Sequence, residues 1–242
     1  MKRHLTSRTQ VVGVVVPVHN EEELLGDALD ALGESFAALR NSNTVTHLVL
    51  VFDACRDSSM SVARAWAEQI SPQSSLIVSA INCDANNVGI ARNLGCEDVL
   101  DYWSEVDLAS IWIATTDADS RVPRAWLDAQ VRHHNAGVDV WAGRVSVQES
   151  EPHDREAVSR WQREYDAELK PIHGASLGFN AEKYLLVGGF PALATGEDRA
   201  LFHSLVESGA RAYFDSSYRV LTSGRRRARA PHGFSEALYE FR

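Results

Sequence analysis

In the first half of the chain, short apolar runs alternate with longer stretches whose apolar residues recur at helical spacing. Residues 11–16 form a β-branched run and predict a strand. Residues 20–39 predict a helix, with Leu24, Leu25, Ala28, Leu29, Leu32 and Phe36 on one face. Asn20 is placed to cap it, and Glu21, Glu22 and Glu23 suit its first turn. Strand 47–52 and helix 57–70 follow, the helix carrying Val62, Ala63, Trp66 and Ile70. Next come strand 76–80, helix 88–100, strand 111–115, a helix over 124–135 opened by Pro123, and strand 138–147. Such β-α repeats with continuous apolar strands predict an α/β fold, a mostly parallel sheet with helices on both faces.

The second half is less regular. It predicts a charged helix over 154–169, a glycine-containing loop over 173–180, the turn Gly188-Gly189-Phe190-Pro191 and a helix over 197–208. Short strands at 211–214 and 219–222 and a tail helix at 235–241 complete it. Nothing resembling a Pro/Ser/Gly linker separates the halves, which predicts one domain over 1–242, with functional halves at about 11–121 and 122–242.

Charge and cysteine usage narrow the classes. A net charge of -9 over 242 residues argues against nucleic acid as the main partner, since phosphate backbones need clustered Lys and Arg. The run Arg225-Arg226-Arg227-Ala228-Arg229 goes against that balance. Three cysteines, Cys55, Cys83 and Cys96, without CxxC spacing argue against a disulfide framework or zinc site and fit a reducing cytoplasm. The apolar run at 11–16 is too short for a signal peptide core, and a membrane span needs about 20 apolar residues. A soluble cytoplasmic protein is expected.

The most informative chemistry lies at 111–120, where an apolar strand ends in Asp117-Ala118-Asp119-Ser120. In an extended chain residues i and i+2 point the same way, roughly 6–7 Å apart. Both carboxylates would then aim past the strand end, where open α/β sheets bind ligands. Two hard carboxylates suit a divalent cation that keeps positions open for phosphate oxygens. A polar turn after a core strand is the competing reading.

Taken in order, the motifs resemble family 2 glycosyltransferases of the GT-A fold. Val14-Val15-Val16-Pro17-Val18-His19-Asn20-Glu21-Glu22 is similar to that family's first strand and P-x-x-N-E turn. Val51-Phe52-Asp53-Ala54-Cys55-Arg56-Asp57 is similar to its V-D-D-G-S-x-D strand end, but with Phe52, Ala54 and Cys55 where Asp, Gly and Ser are usual. Asn87-Val88-Gly89-Ile90-Ala91-Arg92-Asn93 is similar to N-x-G-x-x-x-N, Asp117-Ala118-Asp119 to the DxD motif, and Gly196-Glu197-Asp198 to the E-D pair.

The resemblance implies an inverting, metal-dependent transfer of sugar from a UDP- or GDP-linked donor to an acceptor hydroxyl, assisted by Mn²⁺ or Mg²⁺. Asp119 would ligate the metal, and Asp117 would contact the ribose or reach the metal through water. His232 would be the third ligand, and Arg225 a bidentate partner of phosphate. Asp53 would accept the base N3–H, with a turn or helix-capping role as its alternative. Pro17 and Asn20 would shape the first turn, Glu21 would meet the ribose, and Asn87 and Arg92 would lie on the nucleotide-sugar side. Asp198, paired with Glu197, is the expected catalytic base; a capping box from Thr195 to Asp198 competes with it. His173 and Gly174 are expected in an acceptor-side loop. The acceptor itself is open among small molecules, lipid-linked chains and polysaccharides, and a second copy of this chain is a candidate partner.

Three alternatives differ in class. The altered turn at Phe52, Ala54 and Cys55 keeps open a nucleotide-sugar-binding scaffold without chemistry. A sugar-phosphate nucleotidyltransferase would need a Gly-rich basic loop after the first strand, and Pro17-Val18-His19-Asn20 offers none. A dinucleotide dehydrogenase would need G-x-G-x-x-G there.

Overall fold

A computed structural model describes residues 9–39, 44–70, 75–148, 155–167 and 170–224. Its centre is β1 (Val11–Val18), an almost wholly buried run of mostly valine. The chain passes through α1 (Leu25–Ala38), β2 (Val45–Asp53), α2 (Ser59–Glu68), β3 (Leu76–Cys83), α3 (Val88–Tyr102) and β4 (Ile111–Thr115). Then follow β5 (Ser120–Arg121), α4 (Trp126–Asn135), β6 (Val140–Gln148), α5 (Arg155–Ala167), β7 (Leu177–Asn180), α6 (Ala181–Leu186), α7 (Glu197–Glu207) and β8 (Ala212–Ser223). The sheet order is β3-β2-β1-β4-β7-β6-β8-β5.

β1 pairs in parallel with both β2 and β4, so the first four strands make a parallel half with its order reversal at β1. The carboxyl ends of β1, β2 and β4 therefore open onto one edge at a topological switch point, the usual ligand crevice of such sheets. Alternation along β1 divides the apolar mass in two. Val12, Val14, Val16 and Val18 pack with Leu25, Leu29, Trp126 and Leu127 on one face. Val11 and Val15 pack with Ala91, Cys96, Tyr184 and Leu205 on the other. A Cβ on Gly95 would collide with Val15, so glycine there lets α3 lie close on the sheet.

The first half follows the predicted elements, with three differences beyond it. Residues 173–180, expected as a loop, contain a 3₁₀ turn at Gly174–Ser176 and the buried strand β7, antiparallel to both β4 and β6. Four residues including a glycine are too few to show periodicity. The two short strands expected at 211–214 and 219–222 are one strand, β8. Its register against β6 shifts where Asp215 folds back to accept the amides of Ser217 and Tyr218 at 2.7 and 3.0 Å. The two-residue β5 and short α6 carried no pattern that could announce them. The tail helix expected at 235–241 lies outside the described residues. No helix among the described residues is long and apolar enough to cross a membrane.

One buried polar network ties the N-terminal segment to this frame. Asn180 Nδ2 donates to His134 Nε2 at 3.1 Å, so the ring proton sits on Nδ1, facing Thr9 Oγ1 at 2.9 Å; that hydroxyl donates to Asn135 Oδ1 at 2.9 Å. Burial pushes His134 down to about 4. The unfolded chain takes up the proton near 6.5 and the folded chain only near 4. The stabilisation from His134 is thus complete above pH 6.5 and is lost as pH falls toward 4, at about 1.4 kcal/mol per pH unit. His134→Gln is expected to reduce the pH slope of urea-unfolding stability across that window by about this amount, leaving the share contributed by other buried histidines.

Candidate active site

The first two strand-end loops are stitched together by side chains. By alternation from Val15, whose carbonyl accepts the Thr116 amide, the nitrogen of Pro17 faces the β4 side, beyond the last residue of β4. A proline there removes no ladder bond. Asn20 does not cap α1, which begins at Leu25 without a side-chain cap. It adopts a positive φ of 55°, a region asparagine tolerates, and its Oδ1 accepts the Arg56 amide at 2.8 Å. Glu21 is buried, its amide donating to Ser59 Oγ at 2.8 Å.

The residues that depart from the family pattern are accommodated here. Ala54 holds a φ of 51°, where glycine is usual, at a cost of about 1 kcal/mol. The Cys55 thiol donates to Val18 O at 3.2 Å and receives the Asn20 amide at 3.4 Å, as a serine hydroxyl would.

Asp53 is buried and accepts three amides: Ala85 and Asn86 on Oδ1 at 2.8 and 2.9 Å, Asn87 on Oδ2 at 2.8 Å. A carboxylate offers about four acceptor sites, so at most one remains for a base. The alternative expected for Asp53, a turn and capping role, is thus the one visible. Asn87 is likewise structural: its Oδ1 caps α3 through the Ile90 amide at 3.0 Å, and its Nδ2 donates to Ala192 O at 3.3 Å.

After β4 the chain does not continue extended. It turns, with the Ser120 amide donating to Asp117 O at 3.1 Å. The alternation expected of an extended strand nevertheless survives in burial: Ala118 and Ser120 point inward, while Asp117 and Asp119 are half-buried at the crevice. Ser120 Oγ lies 3.3 Å from Asp119 Oδ1 and 2.9 Å from the Thr222 hydroxyl, across the β5–β8 pair, so its one proton serves one of the two contacts.

The most consequential contact joins residues far apart in sequence. Arg92, expected to reach a diphosphate or base, instead turns inward and is 3% exposed. Its Nη2 lies 2.5 Å from Asp117 Oδ1, and its Nη1 pairs with Glu197 Oε1. Glu197, expected beside the base, is thereby buried as an ion-pair partner rather than presented to the crevice. A cation taken from beside the buried Glu197 carboxylate leaves uncompensated charge, and breaking comparable buried pairs costs about 3–5 kcal/mol.

Asp198 is half-exposed at the start of α7. The N-cap there is Gly196 with a φ of 76° and no side-chain cap bond, so the capping box from Thr195 does not form. Asp198 Oδ2 accepts the Gly174 amide at 2.7 Å, and Thr115 Oγ1 donates to Gly174 O at 2.7 Å. A Cβ on Gly174 would overlap the Arg92 guanidinium. Gly174→Ala is therefore expected to lower stability by about 1–3 kcal/mol in thermal unfolding, as overpacked sites do, and to displace the Asp198 contact. Thr115 and the Arg92 fork had no sequence signal, since their partners lie scores of positions away.

His173 lies next to this ring. Its Nε2 is buried and has no hydrogen-bond partner among the described residues. Burial pushes its pKa down to about 4, against the smaller opposing pull of Asp198. The ring is neutral at neutral pH.

Arg225 and His232 lie outside the described residues. Among the described residues no group of three His, Cys, Asp or Glu could hold a metal ion. Asp117 and Asp119 still supply hard oxygen donors one residue apart on the crevice, and only one oxygen of Asp117 is taken by Arg92. That donor set fits Mg²⁺ or Mn²⁺ completed by phosphate oxygens.

Comparison with known proteins agrees with this geometry. The family profile described as Glycosyl transferase family 2 matches residues 13–195. No curated protein sequence matches the chain. Among solved structures, the chain is similar to the mannosyltransferase PcManGT from Pyrobaculum calidifontis in complex with GDP-Man and Mn²⁺, at 23% identity and a TM-score of 0.64, over 92% of this chain and 59% of that one. It is similar to S. aureus TarS at 15% identity and a TM-score of 0.62, over 88% of this chain and 37% of TarS. A third is glucosyl-3-phosphoglycerate synthase from Mycobacterium tuberculosis in complex with Mg²⁺ and UDP, at 13% identity and a TM-score of 0.53, over 92% and 73%. At these identities the likeness is one of fold, the GT-A arrangement of a mixed sheet flanked by helices. The chain spans only 37% of the length of TarS and 59% of that of PcManGT.

Proposed function

The chain belongs to glycosyl transferase family 2, and from that premise we propose that it moves a sugar from a UDP- or GDP-linked donor to an acceptor hydroxyl with inversion. The observation that carries the proposal is the convergence of the Asp117 turn, the Asp198 helix start and Gly174 around one buried arginine, at the switch-point edge of the sheet. A donor side and an acceptor side thereby meet where the topology opens a crevice.

In this reading the anomeric C–O bond to the diphosphate breaks as the acceptor oxygen attacks the opposite face. Asp198 takes the proton of that hydroxyl; its carboxylate is oriented by the Gly174 amide and reaches the crevice. Asp119 and Asp117 would hold Mn²⁺ or Mg²⁺, which when bound supplies Lewis acidity against the charge of the departing diphosphate. Pro17, Asn20 and Glu21 form the rigid first loop against which the ribose would rest. The unsatisfied Nε2 of His173 favours an acceptor hydroxyl as its partner, since buried polar atoms are rarely left unpaired. Arg225 and His232 remain in the proposal as a phosphate partner and a metal ligand, and both lie outside the described residues. The GDP-Man and UDP complexes of the similar enzymes support the donor class.

Thermal unfolding with UDP or GDP tests the reading, each with Mn²⁺ and with EDTA. A metal-dependent rise in Tm is expected for one nucleotide, because a ligand bound only to the folded state stabilises it. No rise with either nucleotide would count against the proposal.

A further inference from the structure

We infer that Arg92 is a positioning residue coupling the donor side of the site to the acceptor side, an assignment that rests on the transferase reading above. Its guanidinium is buried and forks between two carboxylates that belong to different halves of the fold. Asp117 follows β4 and faces the donor. Glu197 opens α7 and is the chain neighbour of Asp198. Gly174 closes the circuit: its amide donates to Asp198, its carbonyl accepts from Thr115, and its bare Cα lies against the Arg92 guanidinium.

A guanidinium is a rigid planar fork, so its two ends cannot respond separately. Whatever draws Asp117 toward a bound cation alters the hold on Glu197, and with it the helix start that carries Asp198. The converse follows from the shared guanidinium: a change that alters the Glu197 contact alters the hold on Asp117, and with it the affinity for metal and nucleotide there. With Glu197 neutral, the whole charge of Arg92 falls on Asp117 and competes with the cation. Glu197 thus influences donor binding from the acceptor side, without being placed to touch the donor.

Isothermal titration of UDP and of GDP, each in the presence of Mn²⁺, into the wild type, Glu197→Gln and Arg92→Lys is the test. Lysine keeps the charge but cannot fork. Both variants are expected to bind the preferred nucleotide about five-fold more weakly or worse, the lower end of ordinary coupling. Asp128→Asn, a change to an exposed carboxylate on α4, controls for net charge and should leave affinity unchanged. Circular dichroism and Tm without nucleotide establish that each variant is folded. A folded Glu197→Gln that binds within about two-fold of wild type overturns the coupling. If Glu197→Gln does not fold, Arg92→Lys decides by the same criterion. Wild type binding neither nucleotide would remove the transferase reading and the coupling with it, whereas wild-type binding with unchanged variants removes the coupling alone.

Discussion

Asp119→Ala is expected to lower sugar transfer by about 10²–10³-fold or more, the scale set by losing a group that stabilises developing charge, while the protein stays folded. Asp119 is half-buried at the turn after β4, and its bond with Ser120 is weak at 3.3 Å. Ser120 keeps its partner Thr222 when the carboxylate is gone. The loss should appear in turnover and in metal-dependent nucleotide binding, with Tm and circular dichroism showing that the variant is folded. Asp119→Asn keeps the size and the Ser120 acceptor but not the charge, so it should behave like the alanine variant. Wild-type turnover in either variant would remove the aspartate turn from the chemistry.

Asp198→Asn should reduce kcat by about 10²–10⁴-fold, the usual worth of a general base, with little change in donor affinity. The amide oxygen of asparagine can still accept the Gly174 amide, so the loop stays pinned, but it cannot take up a proton at neutral pH. Steady-state kinetics with donor and acceptor varied separately will distinguish this from a binding defect. Glu197→Gln offers a contrast, because Glu197 is buried against Arg92 and its neutralisation strikes the ion pair first. A kcat unaffected by Asp198→Asn would assign the base to another group.

Much of the frame was legible because β1, β2 and β4 are apolar runs of the right length for buried parallel strands. The motif residues could be placed at strand ends for the same reason. What the pattern could not show was which motif residues face ligand and which hold the frame. Asn87 and Asp53 belong to motifs shared with a nucleotide-binding family, yet their bonds go to local backbone, and only three-dimensional proximity of 53 to 85–87 reveals it. The motif puts Arg92 on the nucleotide-sugar side, but its two partners come from positions 117 and 197, which no local window joins. β7 escaped because its burial is imposed by β4 and β6 on either side rather than by its own periodicity.

The three amides that grip Asp53 have a consequence for how this crevice handles phosphate. The start of a helix is a ready seat for anions, through its unpaired N–H groups and its dipole. At α3 that seat is already filled from within: Asp53 takes the amides of residues 85–87, Asn87 takes that of Ile90, and Leu193 O takes that of Gly89. Of the first helical amides those of Gly89 and Ile90 are thus taken, so a diphosphate at this edge would find little of that seat left. On the transferase reading its negative charge would be balanced across the crevice by the cation that Asp117 and Asp119 would hold, with α3 a wall of the crevice rather than a cradle.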